Sequence, residues 1–86
     1  MKRFTLQPTD ARKSFYGKCE VTEHDNGDSE LRSYDTIVCR IRKGKFERLW
    51  KGYSHTTMRH VNAYIEHYGI TGGGKKWWDN MEVVKE

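Results

Sequence analysis

Two cysteines and four histidines of this 86-residue sequence carry the thiol and imidazole groups that could bind a zinc ion. Cys19 and Cys39 fall on the predicted inward faces of their strands, where a free cysteine usually packs as a small apolar side chain. Thiolate and imidazole ligands in tetrahedral geometry suit zinc, so Cys19, Cys39 and His24 are candidate ligands of a structural zinc site. The sequence has no Cys-x-x-Cys pair, so we expect no cofactor and keep structural zinc as the alternative.

The sequence contains none of the common catalytic motifs. It has no Gly-x-Ser-x-Gly elbow, no phosphate-binding loop with its Lys and Ser/Thr, and no His-Glu-x-x-His pair. His60 and His67 are separated by about 10 Å along a helix, which is too far to share a metal. We therefore predict that the protein is not an enzyme.

Basic and aromatic residues are interleaved in the second half of the chain. Single-stranded nucleic-acid binders combine cationic side chains with aromatic stacking in this way. The tryptophans could instead supply the core of so short a chain, although Trp77 and Trp78 are adjacent and cannot both face it. The residues that would form a nucleic-acid surface are Arg40, Arg42, Arg48, Trp50, Lys75, Lys76 and Trp77.

Charge is segregated along the chain, whose net charge is +4. Acids dominate residues 20–35, whereas bases dominate residues 40–59. The acidic segment could attract a basic groove and the basic segment an acidic surface, or both could be solvated faces. Exposed Trp and Arg are preferred anchors of protein interfaces. The candidate partner-binding residues are Glu20, Glu23, Asp25, Asp28, Glu30, Arg59 and Trp78.

Turn signals and periodicity indicate the elements that position these residues. Asp25-Asn26-Gly27-Asp28 predicts a hairpin with a type I′ turn, and Lys43-Gly44-Lys45 predicts a second hairpin. Alternating segments predict three strands, the second running from Leu31 to Arg42 and the third from Phe46 to Lys51. Three antiparallel strands would form a meander.

One helix is predicted between Ser54, a plausible N-cap, and Gly69, which suits the position just past the C-terminus. Its apolar stripe should pack on the sheet. We expect Ile37, Trp50, Val61 and Ile65 in the core. The predicted fold is α+β, a β-β-β-α core with a short N-terminal strand at Phe4–Leu6 and a C-terminal helical turn and strand.

Length and hydropathy limit the number of domains and the classes of protein to which the chain could belong. A chain of 86 residues holds one small core, so we predict a single domain over residues 1–86, with residues 70–86 as a tail joined flexibly through Gly72-Gly73-Gly74. No apolar run is long enough to span a membrane, and the N-terminus lacks a signal-peptide pattern. We therefore expect a cytoplasmic protein with no membrane partner.

Several stretches of the sequence resemble a known family. They run from Pro8 to Lys18, from Ser33 to Val38 and from Gly44 to Asn62, and Lys75-Lys76-Trp77 follows. In order and spacing they are similar to small proteins carried by phages and mobile elements of Gram-positive bacteria. The resemblance implies a small fold and a phage context without an assigned chemistry. Both cysteines stand where we expect small residues such as alanine, which argues against a family-wide metal site.

Small phage proteins without catalytic motifs often block a host machine, so the resemblance implies a counter-defence role. We predict a non-enzymatic interaction protein that inhibits a bacterial defence nucleoprotein by stoichiometric binding. An anti-CRISPR inhibitor of a Cas9-type nuclease is the concrete example, because the acidic segment would suit the positively charged nucleic-acid channel of such an effector. The alternative is a small single-stranded nucleic-acid-binding module that uses the basic aromatic surface.

Overall fold

Five antiparallel strands, paired in chain order, form one sheet in the computed structural model, which describes residues 1–8, 15 and 17–84. The predicted α+β class is confirmed. The predicted three-stranded meander is coarser than this sheet, because the N-terminal segment adds a strand and the second predicted strand divides into two. The strands are β1 (Lys2–Thr5), β2 (Cys19–Glu23), β3 (Ser29–Ser33), β4 (Thr36–Arg42) and β5 (Lys45–Arg48).

Both predicted hairpins are present, with different turns. Between β4 and β5, Lys43 and Gly44 have φ angles of 53° and 78°, as a two-residue type I′ turn requires. Between β2 and β3, only Gly27 has a positive φ, 92°, and its N–H donates to the His24 carbonyl at 3.0 Å. That turn is therefore wider than the predicted type I′ turn, because Asn26 does not take up the left-handed conformation.

The β3–β4 connection was not predicted. Tyr34 and Asp35 form a tight turn between the paired residues Ser33 and Thr36, and Tyr34 has a φ of 56°. The sequence offers neither Gly nor Asn at this point, which is why the segment reads as one long strand.

A β-bulge follows this turn and changes which side chains are buried. Leu31 pairs with Cys39 and Arg32 pairs with Ile37, so Val38 is the extra residue of β4. Val38 is 1% exposed, whereas Ile37 is 38% exposed. The prediction that Ile37 belongs to the core is wrong, because the inserted residue reverses the alternation of faces along the strand.

The main helix, α1 (His55–His67), covers the inner face of the sheet. The Ser54 hydroxyl accepts the Thr57 N–H at 3.0 Å, as an N-cap does. At the other end, Gly69 has a φ of 72° and the Ile70 N–H donates to the Ile65 carbonyl at 2.8 Å, which is a Schellman motif. The predicted core positions on this helix, Val61 and Ile65, are buried.

The C-terminal segment packs onto the core. A short helix, α2 (Lys75–Asp79), follows the glycines, and its Trp78 is 1% exposed. The Val84 N–H donates to the Arg48 carbonyl at 2.7 Å, where Val83 forms an isolated parallel bridge with Arg48. Trp50, which was predicted to lie in the core, is half-buried and packs against the edge of the core. Neither helix in the described part of the chain is long and apolar enough to cross a membrane.

Arg48 is the most constrained side chain in this fold. Its guanidinium group is buried and lies over the Trp78 ring, 4.6 Å from the centroid. Its Nε donates to the Trp50 carbonyl at 2.8 Å. The two terminal nitrogens donate to four further carbonyl groups, those of Lys51, Gly52, Trp78 and Met81.

Replacing Arg48 with Lys should destabilise the fold by about 3 kcal/mol or more, because one ammonium group cannot reach carbonyls arranged around a planar guanidinium and leaves buried acceptors unpaired. Urea unfolding followed by tryptophan fluorescence would measure the loss. Arg42→Lys, on an exposed side chain of the neighbouring strand, is the matched control and should change stability by less than about 0.5 kcal/mol. Equal stability of the two variants would contradict this role for Arg48.

Candidate interaction site

The acidic residues predicted to bind a partner do not form one surface. Glu20 and Glu30 lie on the outer face of the sheet, the face away from α1. Glu20 is paired across the strands with Arg32, and Glu30 with Arg40. Antiparallel pairing therefore interleaves the acidic and basic segments, and the outer face carries mixed charge.

The remaining acids of that set are held by local contacts. Glu23 accepts the Tyr68 hydroxyl at 2.6 Å. In the β2–β3 turn, Asp25 binds the N-terminal ammonium group at 2.7 Å, and Asp28 accepts the Lys43 N–H at 3.0 Å. Glu23 and Asp28 therefore take part in contacts of the fold, whereas the Asp25 side chain stays 95% exposed.

The other two predicted partner residues are also engaged within the chain. Trp78 lies in the core and donates its Nε1–H to the Gly52 carbonyl at 2.9 Å, so it is not accessible to a partner. The Arg59 guanidinium group lies over the Phe15 ring, 5.1 Å from its centroid.

Most arginines of the basic aromatic surface predicted for nucleic acid bind other groups of the same chain. Arg48 is buried among carbonyl groups. Arg40 donates to Glu47 at 2.6 Å, and the Arg42 Nε lies 3.9 Å from the same carboxylate. The prediction that Arg48 lies on a binding surface is wrong, because five carbonyls and an indole ring surround it.

The two tryptophans of that surface pack against glycines. A β-carbon at Gly52 would overlap the Trp50 ring, and one at Gly72 would overlap the Trp77 ring. Trp77 is half-buried and also contacts Phe46 at a centroid distance of 5.1 Å. Its neighbour Trp78 faces the core, which agrees with the prediction that only one of these two adjacent tryptophans could do so. The face of each ring that packs on a glycine is not free to stack on a base.

The C-terminal lysines of the nucleic-acid set lie on the surface of α2. Lys75 forms an ion pair with Asp79, one helical turn away, which raises the pKa of the lysine. Its ammonium group lies 5.3 Å from the Tyr53 ring centroid. Lys76 is exposed. Two surface lysines alone do not define a nucleic-acid site.

The candidate zinc ligands are kept apart. Cys19 is on β2 and Cys39 on β4, with β3 between them, so their backbones are about 10 Å apart across two strand spacings. His24 is exposed in the β2–β3 turn, with its Nε2 at 3.6 Å from Glu30. Among the described residues, no cluster of His, Cys, Asp and Glu could hold a metal ion.

Neither cysteine is placed for nucleophilic chemistry. Both are buried thiols. Burial raises the pKa of Cys19 to about 12, and burial followed by the nearby Cys19 raises the pKa of Cys39 well above its usual value. Since the thiolate is the nucleophile, these side chains stay protonated and inert at neutral pH.

Sequence reasoning missed the feature that stands out on the surface, which is the hairpin of residues 32–37, here called the Tyr34 hairpin. Tyr34 is 50% exposed and holds the left-handed conformation that usually requires Gly or Asn. Its N–H donates to the Lys18 carbonyl at 2.9 Å, which fixes its backbone. The bulge exposes Ile37 on the outer face, directly across from Arg32, which is also exposed.

A signal for this hairpin was present in the sequence. The predicted strand from Leu31 to Arg42 exceeds the usual maximum of about 10 residues, and a run without aliphatic residues, 32–36, interrupts its apolar pattern. Splitting the strand there would have found the turn. The β-bulge at Val38, by contrast, has no signal in the local sequence.

The Tyr34 hairpin rests on a buried histidine. His60 is 0% exposed, and its ring lies 5.6 Å from the Tyr34 ring and 4.4 Å from the Phe15 ring. The Ser33 hydroxyl lies 2.7 Å from His60 Nδ1 and 3.1 Å from the Thr57 hydroxyl. No described residue is hydrogen-bonded to His60 Nε2. Burial, followed by the nearby Arg59 charge, lowers the pKa of His60 to about 4.

His60 should make the stability of the protein depend on pH. Its pKa is 6.5 when unperturbed and about 4 in the folded protein, so the unfolded chain binds more protons between these values. The contribution of His60 to the free energy of unfolding should therefore be constant above about pH 7 and fall by up to about 3 kcal/mol as the pH is lowered towards 4. Urea unfolding at a series of pH values would measure it.

The matched controls for this prediction are two histidine variants. His60→Asn keeps a polar group near Ser33 and should lose most of the pH dependence between pH 7 and 5. His55→Asn, at an exposed position, should retain it. An unchanged pH dependence in His60→Asn would show that another group is responsible.

Comparison with known proteins identifies the family of the chain. Residues 4–80 match the family described as "Family of unknown function (DUF8033)". No curated protein and no solved structure matches the chain. The match assigns no origin, activity or partner, so the phage context and the counter-defence role stay predictions. Because the match covers most of its length, from β1 through α2, the chain belongs to the DUF8033 family of proteins of unknown function.

Proposed function

We propose that this protein is a non-enzymatic interaction module that binds a partner protein through the Tyr34 hairpin. The observation that carries the proposal is the coincidence of two local irregularities within five residues. A positive φ at Tyr34 and a β-bulge at Val38 accompany two exposed large side chains, Tyr34 beside His60 of α1 and Ile37 on the outer face.

The left-handed conformation of Tyr34 is unfavourable for the isolated fold. A left-handed conformation costs a residue with a β-carbon about 1 kcal/mol or more, and Gly would avoid this cost. In the β4–β5 turn, where Lys43 also has a positive φ, the residue is a solvated lysine followed by the expected Gly. At Tyr34 the residue is a half-exposed aromatic ring. Strained backbone and bulges that aim a side chain are typical of functional positions.

The chemistry of the Tyr34 hairpin suits a protein partner. Tyr and Arg are the residue types enriched at the energetic centres of interfaces. Arg32 lies directly across from the exposed Ile37, and the exposed Tyr34 is in the turn of the same hairpin. Ser33 is tied to His60 and Thr57 of α1, so the surface is held in one conformation before it meets a partner. Because the hairpin is already ordered in the free protein, binding would cost less conformational entropy.

The identity of the partner is a separate proposal. A bacterial defence nucleoprotein, with a Cas9-type nuclease as the example, follows from the resemblance of the sequence alone. The nucleic-acid alternative is weakened by the burial of Arg48 and by the packing of Trp50 and Trp77 against glycines. We therefore place the protein partner first.

Substitutions in the Tyr34 hairpin should abolish partner binding and preserve the fold. Tyr34→Asn should change the free energy of unfolding by no more than about 1 kcal/mol, because Asn tolerates the left-handed conformation and relieves strain. Ile37→Thr keeps β-branching on an exposed strand position and should have a similarly small effect. Tyr53→Asn, at another exposed tyrosine, is the matched control.

Affinity capture from nuclease-treated bacterial lysate containing a type II CRISPR system tests the proposal. The four tagged proteins would be compared at equal loading, and bound chains identified by mass spectrometry. A partner retained by the wild type and Tyr53→Asn, and lost from both hairpin variants, is the expected result. Equal retention by all four would place the surface elsewhere, and capture of nucleic acid alone from undigested lysate would favour the nucleic-acid alternative.

A further inference from the structure

The free edge of β5 is a second surface that the fold leaves open. The two-residue turn Lys43-Gly44 makes Arg42 and Lys45 a hydrogen-bonded pair. Along β5, residues whose backbone groups bond to β4 therefore alternate with residues whose backbone groups point away from β4. Phe46 and Arg48 therefore direct their backbone N–H and C=O groups towards the edge. The bond from the Val84 N–H to the Arg48 carbonyl lies on this side and agrees with that assignment.

The C-terminal segment of the chain covers only the end of this edge. Its bridge is at Arg48, where Val83 lies parallel to β5. No described backbone group is hydrogen-bonded to the edge-facing groups of Phe46. Between the strand and the segment lies a groove of about 270 Å³, lined among others by Phe46, Met81 and Glu82.

The charge beside this edge is strongly basic. Arg40, Arg42 and Lys45 all surround one carboxylate, Glu47, and they lower its pKa, with the hydrogen bond from Arg40 as the largest cause. Lys43 adds another base at the tip of the hairpin, where it is exposed. Across the groove Glu82 is also exposed, so three exposed bases, Arg42, Lys43 and Lys45, face one exposed acid and leave an excess of positive charge beside this edge.

We propose that the β5 edge binds an extended acidic peptide by strand addition. The peptide backbone pairs with Phe46 in the position that the C-terminal segment leaves open. Side chains alternate in a strand, so one set faces the part of the groove formed by Phe46 and Met81, and the other lies on the outer face beside Arg42 and Lys45. A sequence that alternates acidic and β-branched residues satisfies both sides. This surface is distinct from the Tyr34 hairpin, and the inference stands independently of the proposed function.

The test uses an eight-residue peptide of alternating Glu and Val, labelled for fluorescence anisotropy, and the full-length protein. A second peptide carries N-methyl groups on alternate residues, which remove main-chain donors without changing charge. Strand addition predicts saturable binding of the first peptide and at least about tenfold weaker binding of the second, a difference of one decade in Kd. Hydrogen exchange of the Phe46 amide should slow when the first peptide is bound.

Two protein variants of equal net charge locate the site. Lys45→Glu reverses a charge beside β5 and should weaken binding about tenfold. Arg3→Glu reverses an exposed charge on the outer face of β1, at the opposite edge of the sheet, and should leave binding nearly unchanged. Equal loss in both variants would mean that the peptide responds only to overall charge.

Other outcomes overturn the proposal directly. Equal affinity for the N-methylated peptide would remove the role of main-chain pairing. Tighter binding of an eight-nucleotide oligothymidine than of the acidic peptide would make the hairpin a nucleic-acid surface instead. Absence of peptide binding at millimolar protein would show that the C-terminal segment closes the edge.

Discussion

The buried guanidinium group of Arg48 is the interaction on which the rest of the fold depends. It joins the end of β5 to the loop of residues 50–52 and to the segment that follows α2. Trp78 closes the same arrangement, since its ring lies beneath the guanidinium group and its Nε1–H binds the Gly52 carbonyl. An 86-residue chain buries little apolar surface. Four of the five hydrogen bonds from this one cation go to residues outside the helices and strands, and the fifth goes to Trp78 in α2.

Local chemistry made the helix and the hairpin positions predictable from the sequence. Helix α1 begins after Ser54, whose hydroxyl accepts an otherwise unpaired N–H, and it ends before Gly69, which takes a positive φ. The five-stranded sheet was not predictable in the same way. Its β3–β4 turn has Tyr34 where turn chemistry favours Gly, and one inserted residue, Val38, decides whether Ile37 or Val38 is buried. Such features depend on tertiary packing, which a local pattern does not contain.

The candidate surfaces were harder to predict than the fold for a related reason. Blocks of like charge along the chain suggested two opposed faces, yet antiparallel pairing sets Glu20 beside Arg32 and Glu30 beside Arg40. Arg48 has the same type as its surface neighbours and lies in the core, because neighbouring carbonyls complement it only after the chain has folded. Residue type specified the charge, whereas strand register determined where that charge lies and whether it is free to bind.

His60 connects the stability of the fold to the surface that we propose binds a partner. Its ring is buried beneath Tyr34 and bound to Ser33, the residue that precedes the strained position. Neutral imidazole packs there at little electrostatic cost, whereas a cation would lie in a site that desolvates it. The helix therefore supports the hairpin through a group that must stay uncharged. A partner that covers Tyr34 would exclude solvent from the surroundings of His60, so binding and the neutral state of this ring should favour each other by thermodynamic linkage.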